Sequence, residues 1–355
     1  MSLATTTDIA PLRGLWARWA TLVAVSAGQT GVAPEDVQRK WLQIAPLIDR
    51  VMSRLDEVDG LPVERRSSLA GDDRASRPYQ VSHALSLCLM AGVDHLHAAK
   101  SLVVNQQVLH LAAPSTLARG ALENFAAAYW ILGPVERRTR VERALRWHYK
   151  NAKDQHTALS SIDASVSYED RSGRIDVVSR RYGLDPRTLR RGYASTTAVQ
   201  YCDQHIDRTR IPLEVALPWR ICSGLAHGRP WAYLGTLEHD EVAERQDGTV
   251  LLRVTSGLDL ALYPLLAAMH LLEEFLRLRD ARGRDQTAAT GLGAVGSREA
   301  APGGSSGGST GRTPRPDVPE APRRRSTSPR PSEPACMLPP LHMWPGTGAG
   351  RAGRR

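Results

Sequence analysis

Apolar residues recur at intervals of three and four along most of the first 282 positions, the spacing of helices that bury one face. Pro34, Glu35 and Asp36 open the first strong segment, with proline early and acids in the first turn. Trp41, Ile44, Leu47, Ile48, Val51 and Leu55 carry it to about Val58, and Pro46 is expected to kink it. Residues 59–77 read as a charged loop. From Pro78 to about Val108, Leu85, Leu87, Leu89, Met90, Val93 and Leu96 cover most of the circumference, which predicts a central helix with neighbours on several sides. Pro114-Ser115-Thr116 opens the next helix and Gly133-Pro134 closes it. Leu122, Phe125, Tyr129 and Leu132 share one of its faces. Arg119 and Glu123 stand four residues apart on another, beside Ala126 and Ala127, small residues that predict close approach by a further element. Residues 135–160 form a charged amphipathic helix with Arg137, Arg138, Arg140, Arg143 and Arg146 near its start. The last helix runs from Asp259 to about Arg282. Strand-like segments from Val242 to Arg245 and Thr249 to Thr255 flank Asp247-Gly248, a two-residue turn signature, so a hairpin is expected at about 239–256. The expected fold is mainly α: a multi-helix bundle with one small β-hairpin.

Composition divides the 355 residues into three parts. Residues 1–33 read as a short helix and loop, and 34–282 as the bundle. Residues 283–355 hold 13 Gly and 11 Pro among few large apolar groups, too little to offset the entropy of ordering, so a disordered tail is expected. The tail carries 11 Arg against 5 acids, which leaves only +3 of the +9 net charge for the rest of the chain. Its Arg323-Arg324-Arg325 cluster suits any acidic surface without sequence preference. Cys88, Cys202, Cys222 and Cys336 are scattered, with no metal or redox spacing, as expected of reduced thiols in the cytoplasm. The apolar run from Trp16 to Val25 is too short to span a bilayer, and the one from Leu258 to Leu278 contains Glu273, Glu274 and Arg277, so no membrane span is expected.

One stretch concentrates chemistry. Trp219 to Trp231 holds two arginines, a serine, a histidine and two tryptophans in thirteen residues. If 219–227 is helical after Pro218, with Gly228 as the stop, Arg220, Ser223, Gly224 and His227 fall within about a third of the circumference. Ile221, Cys222 and Leu225 face the other way. Gly224 leaves room there for a ligand or another backbone. A histidine can pass a proton in either direction near neutral pH, and an arginine can hold a phosphate and stabilise charge developing on it. Arg119 and Glu123 complete this face if their helix packs against it. The same residues would also serve as a buried polar network, with Trp219 and Trp231 in the core.

An arginine separated from a histidine by six residues, on a late helix of an all-helical chain, resembles the Arg-x(4–6)-His motif of the HEPN superfamily. The resemblance covers roughly residues 80–280, and Ile221 stands where the family's arginine is usually followed by a polar residue. It implies a helical bundle, often dimeric, with Arg220 and His227 as the catalytic pair of a metal-independent endoribonuclease of toxin–antitoxin or phage-defence type. RNA is then the expected partner and a homodimer the expected assembly, with no cofactor or metal.

Two other readings stand beside it. Residues 174–194 read as a short amphipathic helix, a Leu-Asp-Pro turn and a second, basic helix. That resembles a helix-turn-helix unit presenting Arg187, Arg190 and Arg191 to DNA. The third reading is a non-enzymatic helical interaction module. His83, Asp94 and His97 lie near one another on the central helix, but their spacing matches no dedicated ligand pattern.

Overall fold

The computed structural model describes residues 33–57, 60–162, 167–207, 214–244 and 250–285, the side chains of Glu244 and Val250 excepted. Eleven α-helices and one two-stranded antiparallel sheet are found among them. The N-terminal segment 1–32, the tail from 286 onward and the Asp247-Gly248 turn lie outside the described residues.

Helix α1 (Pro34–Asp56) places proline at its first turn and buries Val37, Trp41, Ile44 and Ile48, with Pro46 inside it. The region expected as a charged loop contains a helix, α2 (Ser68–Ser76), whose start is capped by the Ser67 hydroxyl accepting from the Ala70 N–H. Small and polar residues give it no apolar stripe, and it is held instead through Asp72, described below. Helix α3 (Val81–Lys100) continues into a π-helical turn, Ser101–Asn105. By length and composition this continuous helix is apolar enough to cross a membrane. Here it packs against α1, α2 and the next two helices, and His83, Leu87, Met90 and Asp94 form its exposed stripe.

Helix α4 (Ala113–Leu132) is the more enclosed of the two central helices. It buries every residue from Phe125 to Leu132 and packs against five other helices. Small residues set these approaches: a Cβ on Gly92 of α3 would collide with the Phe125 ring. Helices α5 (Arg137–Leu159), α6 (Tyr168–Arg181) and α8 (Ser195–His205) follow, with a single turn, α7 (Pro186–Leu189), between the last two. Helices α9 (Ala216–Ala226) and α10 (Pro230–Thr236) precede the hairpin, β1 (Glu238–Glu244) and β2 (Val250–Thr255), which pair from Glu238↔Thr255 with an irregularity between Glu241 and Ala243. Helix α11 (Leu258–Gly283) closes the bundle against α4 and is buried along most of its length. A small second core of Leu225, Ala232 and Leu237 joins α9, α10 and the hairpin.

The five arginines at the start of α5 all donate to acceptors within the protein. Arg140 is 2% exposed and spends all its donor groups inside the protein. It bonds both carboxylate oxygens of the fully buried Asp72, at 2.6 and 2.8 Å, the Ser68 hydroxyl, and the Pro134 and Val135 carbonyls. Arg137 also donates to Asp72, at 3.1 Å. Arg138 donates to the Tyr182 and Gly183 carbonyls, Arg143 to the Trp130 carbonyl, and Arg146 to Glu142. Such a buried charge pair is tolerable only because nearly every donor and acceptor is satisfied.

A candidate site on the exposed face of helix α9

Helix α9 is fixed at both ends. At its start, the Asp203 carboxylate of α8 accepts from the Val215 and Ala216 N–H groups, at 2.7 and 2.9 Å. An acid there satisfies otherwise orphaned donors and complements the helix dipole. At its end, His227 is the cap residue and Gly228 takes φ +62°. The Gly228 N–H bonds to the Leu225 carbonyl at 3.1 Å and the Arg229 N–H to the Gly224 carbonyl at 2.9 Å. That is a Schellman closure, and the left-handed position favours glycine. The helix thus ends one residue before the expected His227, but the phasing holds. Arg220 and His227 are exposed and Ser223 is half-buried on one side, while Cys222 and Leu225 are buried on the other. Burial pushes the Cys222 thiol up to about 12, so it is a packing group rather than a nucleophile.

Helix α4 packs against α9 and brings Arg119 and Glu123 to this face. The Arg119 Nε donates to Glu123 Oε1 at 3.0 Å, and its guanidinium lies 3.2 Å from His227 Nε2. A guanidinium can only donate, so Nε2 is the acceptor and presents its lone pair to Arg119. The Trp219 indole N–H donates to the same Glu123 oxygen at 2.9 Å. The result is a continuous chain from His227 through Arg119 and Glu123 to Trp219. It is not a buried network: the Arg119 and Glu123 side chains are 25% and 27% exposed.

Sequence reasoning placed these residues together but assigned the partners differently. The arginine that meets His227 is Arg119, 108 positions away. Arg220 and Ser223 make no side-chain hydrogen bond or ion pair among the described residues. Arg220 lies seven positions, about 10 Å of helix rise, before His227, and helical side chains tilt toward the N-terminus, away from it. Trp219, expected as core, packs half-buried against the main core and is also a hydrogen-bond donor. Trp231, also expected as core, is 56% exposed. Gly224 does not hold space for a ligand. A Cβ there would come within 2.6 Å of both Ala232 Cβ and the Trp231 ring, so the glycine is the seat of α10. A helical glycine costs about 1 kcal/mol relative to alanine, which this close approach explains.

The basic unit at 174–194 differs from the expectation. Its second helix, α7, is one turn long, started by Asp185 and Pro186. Arg190 pairs with the buried Asp176 of α6, which also accepts from the Tyr149 hydroxyl, while its own side chain stays 45% exposed. Arg187, Arg190 and Arg191 are all exposed, and of the three the Arg190 guanidinium is the one held by a buried acid, Asp176. On α3, His97 approaches Asp49 at 3.7 Å, and Lys100 bonds the same carboxylate at 2.7 Å. Among the described residues no group of three or more His, Cys, Asp or Glu is arranged to hold a metal.

No protein-family model matches the chain, and neither a curated protein nor a solved structure does.

Proposed function

We propose that the exposed face of α9 is a phosphate-handling acid–base site and that the protein is a HEPN-like, metal-independent endoribonuclease. The observation that carries this reading is the contact between Arg119 and His227 Nε2 on an open surface. A base and an always-charged phosphate ligand already touch there, with Arg220 exposed on the same face. Arrival of a phosphodiester draws the Arg119 donor to an anionic oxygen, where a charge-assisted bond is stronger than one to a neutral ring. The Nε2 lone pair is then released beside the substrate. It accepts the proton of a ribose 2′-hydroxyl, O2′ bonds to phosphorus, and the P–O5′ bond breaks. The 5′-oxygen leaves with a proton from solvent, and a 2′,3′-cyclic phosphate remains. Glu123 and Trp219 act through Arg119 as positioning residues.

The expected outcome is cleavage of RNA in excess EDTA, with cyclic-phosphate ends, lost when the 2′-hydroxyl is replaced by hydrogen and lost in His227→Ala. Cleavage that needs a divalent metal, or that survives His227→Ala, contradicts the reading. A non-enzymatic interaction module is favoured by one separate observation: Trp231 and Leu234 of α10 are 56% and 50% exposed beside this face. Oligonucleotide binding without any cleavage would support it.

A further inference from the structure

We infer that Trp231 is a nucleobase-stacking platform that gives the α9 face a preference for single-stranded nucleic acid. This deepens the proposed ribonuclease reading and rests on it for the identity of the neighbouring phosphate ligands. The ring is placed by Gly224, which lies on the same side of α9 as Arg220 and His227. The Trp231 Cζ2 and Cη2 atoms lie 2.6 and 3.0 Å from where a Gly224 Cβ would be. The six-membered edge of the indole is therefore seated on the helix backbone at Gly224. The residue nevertheless remains 56% exposed. No described aromatic ring or cation stacks on it. A tryptophan fixed at its edge and open elsewhere loses little freedom when a flat partner stacks on it.

The stretch that carries Trp231 suits an anionic, planar partner, and the nearest acids in sequence, Glu238, Asp240 and Glu241, belong to the hairpin. From Val215 to Leu237 the chain contains no Asp or Glu. Arg220 and Arg229 both precede the ring in sequence and are exposed, and neither makes a side-chain hydrogen bond or ion pair among the described residues. The one acid that α4 brings close, Glu123, is taken up by Arg119 and Trp219. Cations around an unpartnered aromatic ring are the recurrent means of holding a single strand: phosphates on the charges, an unstacked base on the ring. A duplex keeps its bases stacked and has none to offer.

The test uses the full chain and a fluorescent 2′-O-methyl ten-nucleotide strand, which cannot be cleaved, alone or annealed to its complement. Anisotropy titrations are expected to show tighter binding of the single strand and a loss of about tenfold in Trp231→Ala. Trp231→Phe should keep most of the affinity. Trp231→Leu, which retains apolar volume on Gly224 without a ring, should behave like alanine. Duplex binding should not respond to any of the three. Equal single-strand affinity in wild type, Trp231→Ala and Trp231→Leu, as when the basic tail alone or an apolar protein partner accounts for the surface, overturns the inference. So does an equal response of the duplex. The two proposals fail separately. Cleavage of RNA with unchanged binding and KM in Trp231→Ala removes the platform alone. Trp231-dependent binding without cleavage removes the ribonuclease alone.

Discussion

Two regions of this protein hold clustered arginines, and they put them to opposite uses. Between α2 and α5, Arg140 is 2% exposed and Asp72 is fully buried, with Arg137 and backbone carbonyls completing the set. On α9 and just beyond it, Arg220 and Arg229 are exposed and unengaged among the described residues, and Arg119 reaches across to a histidine. The first region consumes its donors in holding two helices together. The second leaves Arg220 and Arg229 exposed to solvent. Residue type alone therefore says little about function. What separates the regions is whether a buried acid and backbone carbonyls lie within reach.

The sharpest break of the comparison comes from the buried pair. Asp72→Ala strands Arg140 without its counter-ion, and a loss of about 3–5 kcal/mol in urea unfolding is expected. A loss below about 1 kcal/mol would mean that the knot is dispensable.

Acid should act next, and on the bundle rather than on the open face. Burial first, then the His83 charge, brings His148 down from 6.5 to about 4. Burial and Lys40 bring His270 to about 3. Between these values and 6.5 the unfolded chain binds protons that the folded one does not. Stability is therefore full above pH 6.5 and falls as pH drops toward 4. The thermal midpoint is expected to fall steadily from pH 7 to pH 4.5, less so in His270→Leu. A flat midpoint across that range contradicts this.

Gly224→Ala should cost about 1–3 kcal/mol, because the new methyl group meets Ala232 and the Trp231 ring and α10 must move. A neutral effect would mean that α10 is not seated as described. The smallest expected change is in Arg220→Ala and Arg229→Ala. Each should alter stability by less than about 0.5 kcal/mol. Each should also lower the salt dependence of single-strand binding, by about 0.7 in log–log slope for every phosphate no longer neutralised. Measurable destabilisation by either would close the gap between the two regions.

The sequence reported the helices that bury a stripe, because a period of 3.6 is written directly in Trp41, Ile44 and Ile48 or in Leu122, Phe125 and Tyr129. It did not report α2, whose Ser68–Ser76 segment is small and polar and depends on Asp72 meeting an arginine 68 positions away. The short α10, seven residues opened by Pro230, is too brief to display a periodic apolar stripe. At the site, helical phase was enough to put Arg220, Ser223 and His227 on one side and to nominate Arg119 and Glu123 as neighbours. The actual partner of His227 depends on how α4 docks on α9, and the Trp219 bond to Glu123 on where two half-buried side chains come to rest. Periodicity carries no information about either.

The contrast between a closed knot and the proposed acid–base face is tested most directly by one paired measurement on His227→Ala: its thermal midpoint and its cleavage of RNA in EDTA. The prediction is a midpoint close to that of the wild type, as for an exposed residue, with cyclic-phosphate cleavage present in the wild type and absent in the variant. A lowered midpoint, with no cleavage by either protein, would make the α9 face a structural network like the one around Asp72 and would contradict the account.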